Sequence, residues 1–155
     1  MWIHVTMSNN KTIPPYDPTD QKGNVHYYIA PSLFPGAGEG CFARHSFEEG
    51  EFLAEYLGVY HRECPDPMYV FTLKKTPGVY RHLDAKVVRI NNPMRYVNGA
   101  NHYKKSQLQR VNVKSAEEHG RIFYYAIRHI RAGEELVIDY GANYWSNKSH
   151  HGKGS

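Results

Sequence analysis

A mainly β domain with short helical turns is the architecture this sequence predicts, on three observations. From Asn24 onward, short strand-like runs alternate with Gly and Pro. No segment sustains a 3.6-residue apolar period over three turns. The longest run, Arg121 to Ile130, is rich in aromatic and β-branched residues, which fit a pleated surface.

Taken in order, residues 1–23 are polar, carry Pro14, Pro15 and Pro18, and show no period. They read as an extended arm, packed through Trp2, Ile3 and Ile13. Val25 to Ala30 is the first strand, ending at Pro31, and Glu51 to Tyr60 is the next, followed by a polar loop with Pro65 and Pro67. Tyr69 to Leu73 and Ala85 to Ile90 are further strands. Asn92 to Tyr96 is one helical turn, with Asn92 placed to cap it and Pro93 suited to its first position. Arg121 to Ile130 and Leu136 to Tyr140 close the set, separated by the Ala132-Gly133 turn. The tail from Ser146 is polar and expected to fray. The division expected is therefore an arm (1–23), a domain (24–145) and a tail (146–155).

Composition bounds the function. The 155 residues suit one domain, and 41% hydrophobic residues are ample for a core. Thirteen tyrosines mean that many core positions carry a hydroxyl in need of a partner. No run approaches the roughly 18 apolar residues that cross a bilayer. The N-terminus lacks a charged head followed by an apolar stretch, so an intracellular protein is expected. Cys41 and Cys64 are each isolated, which predicts reduced structural thiols rather than a zinc cluster. The net charge of +4 is uneven: Glu48, Glu49, Glu51 and Glu55 cluster early, while Lys104, Lys105, Arg110, Lys114, Arg121, Arg128 and Arg131 make the second half basic. That basic half is either a solvated surface or a face for nucleic acid or an acidic partner.

Three segments can carry chemistry. Gly36-Ala37-Gly38-Glu39-Gly40 is either a hairpin turn or a place where backbone approaches a ligand closely. It is no phosphate loop, because neither Lys-Ser nor Lys-Thr follows. Asn98, entering Gly99-Ala100, is either a polar group aimed at something buried or a turn residue. Tyr140, between Asp139 and Gly141 at a strand end, and Tyr56, in Glu55-Tyr56-Leu57-Gly58, are either core tyrosines or catalytic phenols. Rival chemistries lack their signatures. The ten histidines show no metal-site spacing, no Gly-x-Ser-x-Gly elbow occurs, and neither cysteine is visibly activated.

Read together, these segments resemble the SET domain of protein lysine methyltransferases. Pro35 to Ala43 is similar to its first motif and Gly50 to Gly58 to the strand pair that follows. Leu83-Asp84-Ala85, Asn92 and Arg95-Tyr96-Val97-Asn98 resemble the approach to its Asn-His-Ser-Cys motif, and Ile130 to Leu136 with Asp139-Tyr140-Gly141 its last motif. The resemblance implies small curved β-sheets with a C-terminal pseudoknot, and S-adenosylmethionine held by Ala37, Gly38, Glu39, Asn98, Gly99, Tyr140 and Trp145. It implies a lysine channel lined by Tyr56, Ile138, Tyr140 and Tyr144, with Tyr140 and Tyr56 as the catalytic pair and no metal. A protein substrate, a histone tail above all, and a nuclear location follow from the same resemblance, with Glu48 to Glu55 available to attract a basic tail. The second reading is a PR-like binding module that recognises chromatin or a protein partner.

Three departures stand out. Gly99 occupies the place of the family's histidine, and the loop from His102 to Arg110 is longer and more basic than usual. Cysteine-rich flanking modules are absent from this sequence, which leaves Tyr144 and Trp145 to take their closing role, or Trp145 simply to pack in the core. Ile138 stands where the family often has Phe or Tyr, which predicts addition of more than one methyl group.

Overall fold

The computed structural model describes residues 12–20, 22–63, 67–75, 77–86 and 91–141. Within them the chain forms three small open sheets, with little helix. β1 (Tyr27–Pro31) and β2 (Glu39–Ala43) pair antiparallel, from Tyr27 opposite Ala43 to Pro31 opposite Glu39. β4 (Val59–His61), β5 (Val70–Thr72) and β6 (His82–Asp84) form a second sheet with β6 in the middle.

The largest sheet runs in the order β3 (Phe52–Tyr56), β9 (Arg121–Ala126), β8 (Val113–Glu118), β10 (Val137–Ile138), β7 (Asn98–Gly99). β10 is parallel to both of its neighbours, with Val137 beside Asn98 and Ile138 beside Gly99 and Val113. The final strand thus lies between two laid down earlier, as a C-terminal pseudoknot requires.

The core binds these layers together. Tyr27, Tyr56, Tyr124, Leu83, Met94, Val113, Ile130, Leu136 and Ile138 share one buried cluster. The buried Tyr27 hydroxyl is satisfied by the Leu53 carbonyl at 2.8 Å, and its ring stacks on Phe47 with centroids 5.6 Å apart. Backbone bonds from Ala43 N–H to Glu134 (3.0 Å) and from Leu136 N–H to the Cys41 carbonyl (2.8 Å) join the β1–β2 sheet to the segment leading into β10. Cys41 is fully buried, and burial holds its thiol far above the ordinary range, so it is an inert packing group. Cys64 lies outside the described residues.

Among the described residues, Arg44 holds the arm. Its Nε donates to the Asn24 and Tyr27 carbonyls at 2.8 and 3.1 Å, and its Nη1 to the Pro14 carbonyl. The guanidinium also lies 5.9 and 5.5 Å from the Tyr16 and Tyr28 ring centres. Ile13 is half-buried, while Trp2 and Ile3 lie outside the described residues.

Several local expectations need correction. The run from Glu51 to Tyr60 is two strands, β3 and β4, in different sheets. Gly58 sits at the break, where a Cβ would collide with the Asp84 carbonyl. We expect Gly58→Ala to cost about 1–3 kcal/mol by overpacking against main chain, read by urea unfolding; unchanged stability would contradict that close approach. The strand expected over Ala85 to Ile90 is not present at Ala85 and Lys86, and 87–90 lie outside the described residues; β6, which ends just before it at Asp84, was not anticipated. His82 and Asp84 disguise it as a loop, although Asp84 is buried and accepts the Lys86 N–H at 2.9 Å.

Asn92 does not cap the turn at Pro93–Tyr96; its Nδ2 donates instead to the Leu57 carbonyl at 2.6 Å. The turn is 3-10, with Pro93 at its start. β8 is unanticipated because its Lys114, Ser115 and Glu118 face solvent, and the single turn α1 (Lys105–Leu108) is too short to show a period. Among the described residues no helix is long and apolar enough to cross a membrane.

Candidate active site

A cleft of about 460 Å³ opens where the three sheets meet. One wall is the loop between β1 and β2, contributing Phe34, Gly36 and Ala37. Gly36 and Gly38 adopt φ of +77° and +71°, a backbone region that side chains disfavour, which is why small residues occupy this turn. A bond from Ser32 N–H to the Gly38 carbonyl (2.8 Å) closes it.

The opposite wall is the 3-10 turn and β7, contributing Arg95, Val97, Asn98 and Gly99. Tyr56, Tyr69 and Tyr140 complete the lining, with Asn101, Lys104 and Gln107 at its other end. The glycine turn, Asn98 and both tyrosines are therefore brought to one cavity from positions as distant as residues 36 and 140.

Asn98 ties the walls together. Its Nδ2 donates to the Glu39 carbonyl at 3.0 Å and lies 3.3 Å from Glu135 Oε1. The buried Glu135 carboxylate also accepts the Ser32 hydroxyl at 2.6 Å and the Leu33 N–H at 2.9 Å. One carboxylate thus fixes the start of the glycine loop and the asparagine facing it. Gly40 leaves the room for it, since a Cβ there would come 2.4 Å from Glu135 Oε1.

The tyrosines form the deep end. Tyr56 is 3% exposed, and its hydroxyl donates to the Tyr69 carbonyl at 2.8 Å. Its ring lies 4.8 Å from Phe71 and 5.7 Å from Tyr124 by centroids, and Phe71 lies 5.8 Å from Tyr140. Burial, and then the neighbouring Tyr140 phenol, push the pKa of Tyr56 far above its ordinary value. Tyr124, fully buried, is raised by the same two causes. Both phenols therefore stay protonated at neutral pH.

Not every expected residue lines the cleft. Gly38 and Glu39 support it from behind: Glu39 offers its carbonyl to Asn98, while its side chain turns outward to Lys22 at 2.8 Å. Ile138 is 1% exposed and packs in the core. Tyr144 and Trp145 lie outside the described residues. In the other direction, Glu135, Arg95, Tyr69, Lys104 and Gln107 were not anticipated. The pair Glu134-Glu135 before a buried strand held the clue, because alternation turns Glu134 out to Arg128 at 3.0 Å and Glu135 in.

The acidic stretch is partly neutralised, Glu55 meeting Arg121 through two bonds of 2.8 and 2.6 Å. Among the described residues no group of three or more metal-ligating side chains converges.

Comparison with known proteins agrees with this geometry. A family model described as the SET domain matches residues 38–141. The histone-lysine N-methyltransferase EZH2 of Chaetomium thermophilum is 32% identical over 75% of this chain and 8% of its own length. The chain thus spans about a tenth or less of that relative. The crystal structure of ATXR5 in complex with histone H3.1 superposes with a TM-score of 0.58 at 25% identity, covering 72% of this chain and 56% of that one. The methyltransferase domain of human PR domain-containing protein 2 shares the fold, with a TM-score of 0.62 at 21% identity, covering 76% and 78%.

Proposed function

This chain belongs to the SET-domain family, and we propose that it is an S-adenosylmethionine-dependent protein-lysine N-methyltransferase acting on histone tails in the nucleus. The observation that carries the reading is the convergence of Ala37, Asn98, Tyr56 and Tyr140 on one cleft.

The cleft suits the cofactor. Gly36 and Ala37 let main chain come close, and Phe34 and Tyr69 offer flat apolar surface. Among the described residues Arg95 and Lys104 line it and no carboxylate side chain does, which favours the ligand's carboxylate end. Ala37, Asn98 and Gly99 would hold it, with Gly38 and Glu39 bracing the turn. Gly99 offers main chain alone where the family has an imidazole. When bound, the cofactor supplies an electrophilic methyl group on a sulfonium.

The chain's own residues have two tasks. The first is to present a neutral amine: with a free pKa of about 10.4, lysine pays roughly 4 kcal/mol to be neutral near pH 7.4. Walls of Tyr56, Phe71 and Tyr140 disfavour the ammonium by excluding water. The second is alignment. The Tyr56 ring is fixed by its bond to the Tyr69 carbonyl, and the Tyr140 hydroxyl orients the amine. No general base is needed, and the protonated Tyr56 does not serve as one.

Two expected outcomes follow. The kcat/KM should rise about tenfold per pH unit from pH 7 to 9 as free lysine loses its proton. Tyr56, its pKa raised by burial, adds no break in that range. A plateau beginning near pH 7 would reveal a titrating base instead. Mass spectrometry of the product should show more than one methyl group, the outcome implied by a core-packed Ile138 standing where the family often has Phe or Tyr. A product stopping at one methyl would contradict that implication.

Gly99, in place of the family's histidine, favours the second reading, a PR-like module that binds a protein partner without catalysis. Labelled cofactor and a histone panel separate the two. Transfer of label supports the enzyme, and its absence together with a null calorimetric titration supports the module.

A further inference from the structure

The parallel ladder between β7 and β10 ends at the bond from Ala100 N–H to the Ile138 carbonyl, 2.8 Å long. Beyond it the two chains separate, and each carries cleft wall: Asn101, Lys104 and Gln107 on one, Tyr140 on the other. His102 and Asp139 stand across this gap. His102 Nδ1 lies 3.3 Å from Asp139 Oδ2 and 3.4 Å from Oδ1.

Both ends of the contact are braced. Asn101 N–H donates to Gln107 Oε1 at 2.8 Å, Asn101 Oδ1 accepts the Tyr103 N–H at 3.0 Å, and Lys104 N–H donates to the Asn101 carbonyl at 2.9 Å. On the other side Asp139 Oδ1 accepts the Gly141 N–H at 2.8 Å, spanning Tyr140, while Gly141 takes φ of +88°. A turn closed over one residue leaves that residue's side chain little freedom of direction.

We propose that His102 is a positioning residue: through Asp139 it clasps the 139–141 turn to the 101–107 segment and so fixes the aim of Tyr140 into the cleft. This rests on the methyltransferase reading for its kinetic consequence, but the clasp itself is a property of the free chain. His102 does not touch the reacting atoms. The proton it uses sits on Nδ1, where an asparagine Nδ2–H would lie, so His102→Asn keeps the donor and His102→Ala removes it.

Two readouts separate the clasp from the reaction. In the cofactor-free chain, amide hydrogen exchange at Gly141 should quicken about fivefold or more in His102→Ala and return toward wild type in His102→Asn, as expected for loss of one local bond. In the methylation assay, His102→Ala should lower kcat about five- to tenfold, with calorimetric cofactor affinity within about twofold, as for one lost charge-assisted bond. In an Asp139→Ala background, which removes the acceptor for both His102 and Gly141, His102→Ala should add nothing further.

Equal exchange in wild type and His102→Ala overturns the clasp. Faster exchange with unchanged kcat, or an Asn variant no better than Ala, overturns the positioning role. A wild-type chain that transfers no methyl group at all defeats the methyltransferase reading while the exchange result still stands.

Discussion

Replacing Tyr140 with phenylalanine is expected to slow methyl transfer by about 10²- to 10³-fold while leaving cofactor affinity within about threefold, the scale of losing one preorganised donor in a water-poor site. The substitution removes a single oxygen. The ring remains against Phe71, 5.8 Å away by centroids, and the partly buried position keeps its packing on the core. A fall in kcat with little change in binding is the signature of a group that acts as the methyl group moves. Single-turnover labelling with calorimetry in parallel measures both quantities. A parallel loss of affinity would recast Tyr140 as a wall of the binding site.

The second large effect is on stability. Asn112→Ala is expected to cost about 2–5 kcal/mol, because it strands two buried main-chain groups and leaves a small void. Asn112 is wholly buried. Its Nδ2 donates to the Glu135 carbonyl at 2.9 Å and its Oδ1 accepts the Val137 N–H at 2.8 Å. Its own main chain bonds Val137 and Ile127 at 3.0 and 2.9 Å. The side chain therefore acts as a substitute rung that lets β10 sit between β7 and β8. Loosening it frees the strand that carries Tyr140 and the carboxylate that holds the glycine turn, so cofactor affinity should fall along with stability. Asn112→Asp should recover only part, keeping the acceptor for Val137 but opposing the Glu135 carbonyl with another oxygen. Urea unfolding of the three proteins decides it, and an alanine variant of wild-type stability would show that the rung is dispensable.

How much of this was legible differs by residue. The run from Arg121 to Ile130 was legible as a strand because its residues are branched or aromatic and Ile122, Tyr124 and Ala126 point inward, although the strand ends at Ala126. Val113–Glu118 escaped notice because only Val113 is fully buried and the exposed Lys114, Ser115 and Glu118 break the alternation of a half-buried strand. Gly58 was read as the end of a motif rather than as a contact, since nothing local announces that the Asp84 carbonyl will lie against it.

The cleft itself was legible only as separate pieces. Ala37, Asn98 and Tyr140 each had an ordinary explanation, and it was their order along the chain that joined them. Glu135 and Asn112 were not legible as site residues, because their partners lie more than twenty residues away, where sequence alone does not place them. A buried carboxylate and a buried amide become intelligible once the donors and acceptors around them are counted.

The central claim is that the space between the glycine turn, Asn98 and Tyr140 is built to hold S-adenosylmethionine. It is tested most directly by calorimetric titration of that compound into the full chain and into Ala37→Trp, whose exposed position should admit the larger ring and block the cleft. The account predicts one-to-one binding heat with the wild type and none with the tryptophan variant. No heat with the wild type, or equal heat with both, would contradict it.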